Sequence, residues 1–523
     1  MGKIEGSFAS SKVQNHIQFI PMKKFNYLLL LFTAVTLVFS SCEDDPAPDN
    51  GVTIEGIPAT ATIPAGGKLG PVTATATALD GLVSLTITKD GASFATLPLT
   101  GTTASAPFEY TALPADAGKN VVFEFTVKDT DGDVAKATHV LTVGAEPTTI
   151  RVTGNIAANT TWTTGKTYIL GSRITVTSGA KLTIQPGVVV KGEVGTGANA
   201  TALIIARGAQ IDAQGTATQP IIFTSVADEI APGQVASPNL QPTFEGLWGG
   251  LLILGRARGS FAGDVTEVQI EGIPPSDTNG LYGGTNDTDN SGILKFVSIR
   301  HGGALIGEGN EINGLTLGGV GSGTVIENIE VVSNQDDGIE WFGGTVSVKN
   351  ALVWNSGDDA IDTDQSWAGT LDNFIVICGV NTDHALEIDG PEGAYNAAHT
   401  VKNGSVKGHP SSEFADFRAG ARGTFENLYF FNFPAPSANN NAGRGDFSLS
   451  GDNTIANFTG GILKFSKLEA TLTTGVTLQQ AFRNGTDVHA STVAAGANTV
   501  GANKAAFAGW SWAAAANALA DFK

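Results

Sequence analysis

Asp336-Asp337-Gly338-Ile339-Glu340 and Asp358-Asp359-Ala360-Ile361-Asp362 overlay at a shift of 22 residues, and the same shift lays Asn328 over Asn350. A period of that length, filled with Val, Ile, Thr and Gly, fits one rung of a parallel β-helix, in which each turn of chain stacks on the one before. A residue that recurs at the repeat interval then becomes a file running up one face of the solenoid. Side chains alternate between the faces of a strand. Ile339, Ile361 and Leu386 therefore take inward positions on three successive rungs, and Glu340, Asp362 and Glu387 stand outside, one above another.

Parallel strands stack about 4.8 Å apart. Two like charges at that distance repel by roughly 3 to 4 kcal/mol at an effective dielectric near 20, and by only about 1 kcal/mol in bulk water. An open face would make the file a solvated acidic strip. A face roofed by loops requires a neutralising partner: a cation, a shared proton, or an arginine such as Arg418. Three uses of these residues stay open. They are a turn-stabilising or solvated strip, a site for calcium or another hard cation built from Asp337, Glu340, Asp359, Asp362 and Glu387, and a catalytic carboxylate cluster.

Upstream, Ile174–Gly192 and Ala202–Gly215 alternate apolar and polar residues in short strands broken by Gly, and Pro220–Ser225 closes the pattern. These stretches resemble the opening rungs of right-handed parallel β-helix proteins of the pectate-lyase-like superfamily, a resemblance that covers residues 148–490. It implies the fold more than the activity. Further along, Asn334-Gln335-Asp336, Gly357-Asp358-Asp359, His384 and Arg418 follow an order similar to that of polygalacturonase-type glycosidases. The similarity implies Asp336, Asp358, Asp359, His384 and Arg418 as candidate catalytic groups, with paired carboxylates protonating the leaving group and activating water. Here His384 lies in Asp383-His384-Ala385 rather than between glycines, and no lysine stands two places after Arg418. A calcium-assisted lyase would instead need a basic residue beside the metal; Arg300, His301, Lys349 and Arg418 are the candidates. Trp341, Trp354, Trp367 and Tyr395 lie on or beside the acidic rungs. Of these, Trp341, Trp367 and Tyr395 are the expected sugar-binding surfaces.

Two insertions, residues 228–245 and 271–292, are rich in Pro, Gly, Asn and Asp, and long loops in a regular solenoid often carry function. The second includes Asn286-Asp287-Thr288-Asp289-Asn290-Ser291, an oxygen-rich run with calcium-binding potential. The alanine-rich segment from Asn503 to Phe522, within a C-terminal cap over residues 491–523, is expected to cover the open edge of the last rung.

Residues 51–145 alternate in short runs such as Val121-Val122-Phe123-Glu124-Phe125-Thr126-Val127, separated by turn signals, and predict an antiparallel sandwich of about seven strands. This segment resembles bacterial immunoglobulin-like or cadherin-like spacer modules. In its closing hairpin, Asp129, Asp131 and Asp133 alternate around Gly132, a pattern open to calcium and also to an ordinary turn.

The chain carries a formal charge of −20 with only 15% charged residues. No basic stripe exists to neutralise phosphates, which excludes nucleic acid as a partner and favours cations. At the N-terminus Lys23 and Lys24 precede an apolar run from Tyr27 to Val38, too short for a membrane span and laid out as a secretory signal over residues 1–41, with Met22 a candidate start. Ser40-Ser41-Cys42 resembles the lipobox of bacterial lipoproteins, which implies lipidation of Cys42. The acidic linker 42–50 opens with Glu43-Asp44-Asp45, similar to the surface-export signal of lipoproteins in glycan-degrading Gram-negative bacteria. With Cys42 lipidated, Cys378 stands alone and is expected to be a buried small hydrophobe.

Together these features predict an all-β lipoprotein anchored at the cell surface on the outer membrane. The expected role is a binding or partner module for polysaccharide, or for nutrient uptake with a TonB-dependent transporter, stabilised by calcium. The alternative is a polysaccharide lyase or glycoside hydrolase that works on the acidic face.

Overall fold

The computed structural model describes residues 51–305, 312–436 and 444–523. The signal segment, the acidic linker and Cys42 lie outside the described residues. The chain divides into two compact units, one ending at Glu146 and one beginning at Pro147.

The first unit is a small β domain of two sheets. Thr53–Glu55, Lys68–Thr77 and Thr103–Thr111 form one, and Thr60–Ile63, Leu82–Lys89, Ala92–Pro98, Asn120–Asp129 and Val134–Val143 form the other. Alternation fixes the core: Val121, Phe123, Phe125 and Val127 all point inward and are buried. Eight strands form rather than seven, because Thr60–Ile63 adds to the second sheet as a parallel edge to Val134–Val143. In the closing hairpin Asp129 Oδ1 accepts the N–H groups of Gly132 at 2.9 Å and Asp133 at 2.8 Å. This carboxylate serves the turn.

The second unit is the solenoid. Nine short strands stack in parallel in one sheet: Arg173–Val176, Ala202–Ile205, Leu251–Leu254, Leu315–Gly318, Ile339–Phe342, Ile361–Asp364, Leu386–Ile388, Ala415–Phe417 and Phe447–Leu449. A longer parallel assembly closes the coil, and its central strands run seven to nine residues with a corner near the middle. The corner is an asparagine file. Asn328, Asn350, Asn373, Asn403 and Asn427 all adopt left-handed backbone with φ near +60°, a conformation in which the short amide side chain is tolerated better than most. Asn350 Nδ2 donates to Asn328 Oδ1 at 2.8 Å, and Asn373 Nδ2 donates to Asn350 Oδ1 at 2.7 Å. The repeat visible in the sequence is thus partly a hydrogen-bond ladder between rungs.

Inside the coil the first rungs are filled mostly by aliphatic residues, with Trp162 stacked on Tyr168, and the last by a phenylalanine stack that includes Phe414, Phe417, Phe425, Phe430, Phe447 and Phe465. Cys378 is buried in this core, as expected. Burial pushes its thiol up to about 12, so it stays neutral. Trp341 and Trp367 also lie in the core, stacked with ring centroids 4.7 Å apart. They correct the expectation of sugar-binding surfaces, since neither ring reaches solvent.

The C-terminal segment corrects a second expectation. The last rung is closed by the helix Asp452–Thr459 and by the turn around Leu478–Ala481, with Phe482 packed on Phe447. Residues 503–522 instead lie along the side of the long sheet, where Phe507, Trp510, Leu519 and Phe522 cover Leu352, Ile375, Tyr429 and Phe431. A buried carboxylate pins this strap: Glu330 accepts the N–H groups of Trp512 and Ala513 and the Ser298 hydroxyl. Among the described residues no helix is long and apolar enough to cross a membrane.

Candidate functional site

The register places Thr316, Glu340, Asp362, Glu387, Asp416 and Ser448 in one file on the outer side of the nine-stranded sheet. The expected acidic column therefore exists, and Asp416 extends it by a rung that the sequence repeat did not reveal. The face is roofed. Glu340, Asp362 and Glu387 are only 5%, 6% and 6% exposed, which removes the solvated-strip reading for these three.

The insertion after Leu254 supplies part of the roof. Phe261, Ile270, Ile273 and Tyr282 pack on outward-facing residues of the same sheet, among them Ile204, Leu252 and Phe342. Tyr282 donates to Gln365 Oε1 at 2.8 Å. Glu271 reaches the column through Asn313, whose Nδ2 donates to Glu271 at 3.1 Å and also to Glu340 Oε2. The Asn286–Ser291 run is a latch rather than a calcium loop: Asp287 pairs with Arg258, Asp289 accepts the Arg256 N–H, and Asn290 accepts the Gly292 N–H.

The neighbouring aspartates have split duties. Asp337 Oδ1 accepts the Asp359 N–H at 2.8 Å, and Asp359 Oδ1 accepts the His384 N–H at 2.8 Å. This side-chain-to-backbone step from rung to rung explains why the acidic pair recurs before the strand. Asp358 is exposed and Asp336 half-buried, both near Asp337.

The five expected metal ligands separate into two groups. Asp337, Glu340 and Asp362 offer oxygens within 4.8 Å of one another. Asp359 and Glu387 gather instead around His384, again within 4.8 Å, and that group already holds its counter-charges. His384 Nδ1 lies 2.8 Å from Asp359 and its Nε2 lies 3.4 Å from Glu413. Burial opposes charge on the ring, but hydrogen bonds to Asp359 and Glu413 outweigh it and push His384 up to about 12. Arg418 donates to Glu387 at 2.6 Å and to Asp389 at 2.9 Å.

The first group has no such relief. Burial, with neighbouring carboxylates behind it, holds Asp337, Glu340 and Asp362 well above the usual carboxylate range. Asp362 Oδ1 and Asn313 Oδ1 are buried with no hydrogen-bond partner, and orphaned buried oxygens of this kind are costly. Oxygen-only donors suit a hard cation such as calcium and not a soft metal.

Next to His384 a cleft of about 640 Å³ opens, lined by Glu413, Asp416, Asp446, Ser448 and Arg483. Burial first, and Glu413 beside it, raise Asp446 to about 7 although Arg483 pairs with it. Glu413, Asp416, Asp446 and Arg483 were not singled out in the sequence. Asp416 alone had a legible signal, its outward parity in Ala415-Asp416-Phe417.

Of the four candidate bases Arg300, His301, Lys349 and Arg418, Arg418 adjoins the column. Arg300 and His301 are buried on the far sheet under Trp512, and Lys349 is exposed on the long sheet. Trp354 packs against Trp512. Tyr395 is partly exposed with the Arg258 guanidinium 4.9 Å from its ring centre.

Residues 154–515 match the family model of the pectate-lyase like beta helix domain, and the chain belongs to that family. Among solved structures it is similar to the catalytic unit of a thermostable GH87 alpha-1,3-glucanase from Streptomyces thermodiastaticus strain HF3-3, at 10% identity over 83% of this chain and 86% of that one, with a TM-score of 0.25. It is similar also to pectate lyase Pel3 from Pectobacterium carotovorum, at 10% identity over 73% and 88% of the two chains, with a TM-score of 0.14. Superpositions this loose carry no argument about chemistry. No curated protein matches the chain.

Proposed function

We propose that this chain is a polysaccharide-cleaving protein in which Asp337, Glu340 and Asp362 hold a calcium-class cation and the cleft beside His384 receives the glycan. The observation that carries this reading is the buried trio itself: three carboxylates from adjacent rungs, oxygens within 4.8 Å, and an Asp362 oxygen with no partner. A cation bound there neutralises the column and fixes the rungs that carry His384. In the cleft, Asp446 is poised to hold a proton near neutral pH. Glu413 lies beside it, tied to the charged His384 ring. A carboxyl group that keeps its proton near neutral pH is what protonation of a leaving glycosidic oxygen requires. Asp446, in hydrogen-bond contact with Glu413, would hold the proton that passes to the leaving oxygen.

A β-elimination reading has one observation in its favour, Arg418 at the exposed edge of the column. In the same proposal the chain sits at the cell surface through lipidated Cys42, supported by the Lys23-to-Cys42 layout. Fatty-acid labelling lost in Cys42→Ser tests the anchor.

The test of function is a screen of the purified chain against neutral and acidic polysaccharides, with calcium or with chelator, scoring new reducing ends, new unsaturated ends and retention. Hydrolysis predicts new saturated ends that vanish in Asp446→Asn. Unsaturated ends would move the assignment to a lyase, and retention without shortening would make the protein a binding module.

A further inference from the structure

We infer that a second cleft, between the roofing insertion and the early rungs, binds an oxyanion carried on a polyhydroxylated ligand. Its volume is about 580 Å³, and its walls include Ser178, Arg207, Arg256, Thr278, Asn279 and Asn286. Such a volume is within the range of small-ligand sites.

The two arginines come from successive rungs, since the strands Ala202–Ile205 and Leu251–Leu254 that precede them pair in parallel. Their roles differ. Arg207 is committed: its guanidinium donates to Glu267 at 2.5 Å and to the Gly283 carbonyl at 2.9 Å, which ties the insertion to the rung. Arg256 is not. Its backbone N–H donates to Asp289 and its carbonyl accepts the Asn286 N–H, which fixes the main chain. Among the described residues, however, no hydrogen bond or ion pair holds its guanidinium. Arg256 is exposed at the wall of the cleft, which leaves its guanidinium open to a ligand.

Packing orients that guanidinium. A Cβ added at Gly208 would fall 2.2 Å from Arg256 Nη2 and 2.7 Å from Ser178 Oγ. The side chain therefore lies against bare backbone, and Gly208 at φ +85° leaves the room for it. A planar fork held in this way matches a carboxylate or sulfate bidentately. Hydroxyl and amide groups of Ser178, Thr278, Asn279 and Asn286 on the same walls suit ligand hydroxyls. The column site is acidic and this one is basic, so the inference stands whether or not the cleavage reading holds.

The experiment is calorimetric titration of the purified chain with a uronic-acid disaccharide, a sulfated disaccharide and a neutral disaccharide at low and moderate salt, repeated with Arg256→Gln and Arg256→Lys. The account expects binding of at least one anionic probe and not of the neutral one, weakened by salt. Arg256→Gln should lose about tenfold or more in affinity, with an unchanged melting temperature, and Arg256→Lys should fall between. Equal affinity in Arg256→Gln, equal binding of the neutral probe, or no binding of either anion at millimolar concentration would overturn it. The comparison between carboxylate and sulfate identifies the anion.

Discussion

Replacing Asp362 by Asn removes one carboxylate from the middle of the buried column and leaves its volume nearly unchanged. Its neighbours in register are Glu340 and Glu387. Among the charges around it the strongest repulsion is with Glu340, ahead of Asp337, Asp364 and Glu387, roughly 3 to 4 kcal/mol at one rung spacing if both were ionised. Protons taken up by the column relieve part of this in the cation-free protein, which leaves about 1 to 3 kcal/mol for the substitution to recover. A unit of this length shifts its melting temperature by roughly 1.3 °C per kcal/mol. In chelator at neutral pH, Asp362→Asn should therefore melt about 1 to 4 °C above the parent chain. Calcium at a hundred times its dissociation constant adds about 2.7 kcal/mol to a protein with one site, about 3 to 4 °C here, and the variant should lose most of that increment. Differential scanning calorimetry in chelator and in calcium reads both effects. A variant that melts several degrees lower in chelator, or gains as much from calcium as the parent, would refute the reasoning.

Other expectations follow from the same geometry. Without calcium, the melting temperature should fall as pH rises from about 5 to about 9. Folded Asp364 and Glu387 are raised by burial to about 8 and about 9, far above ordinary carboxyls near 4, so the folded state holds protons that the unfolded chain releases. His384, raised to about 12, acts with the same sign above its ordinary value near 6.5. Saturating calcium should remove the share of the slope that comes from Asp337, Glu340 and Asp362, whose protons it displaces, and melting curves across pH check this. Asn350→Ala deletes two ladder hydrogen bonds and puts a Cβ-bearing residue without a local amide at φ +58°. It should cost about 2 to 4 kcal/mol in chemical denaturation. Glu330→Gln weakens the strap and leaves Arg300, 0% exposed and 3.8 Å away, without its counter-charge. A loss of about 3 to 5 kcal/mol is expected, with faster proteolysis of the C-terminal segment.

The solenoid was legible because its repeat has two physical causes that leave residues in the sequence. Asparagine at the left-handed corner and an aspartate that bonds the next rung's N–H both recur at rung intervals, and both mark register. Parity then sent Glu340, Asp362 and Glu387 outward correctly. The same parity places Trp341 inward, two residues after the inward Ile339, so its sugar-binding role was excluded by the alternation already in use. What stayed hidden depends on contacts between distant segments. The roof comes from an insertion whose apolar residues Phe261, Ile270 and Ile273 show no period. Asn313 carries no sign of the carboxylates it bridges. The pairing of Glu413 with Asp446 and Arg483 arises only when two later rungs stack. The C-terminal strap looked like an end cap because an apolar, alanine-rich segment fits any exposed edge. Glu330, whose buried carboxylate selects the lateral site, reads in the sequence as one more outward strand residue.

The most direct measurement is anomalous diffraction from a crystal of the full chain soaked with terbium or manganese in place of calcium. The account predicts a strong peak enclosed by Asp337, Glu340 and Asp362, with oxygens about 2.3 to 2.6 Å away for a calcium-like ion, and loss of that peak in Asp362→Asn. A column without density at saturating metal, or a peak that survives the substitution, would contradict it.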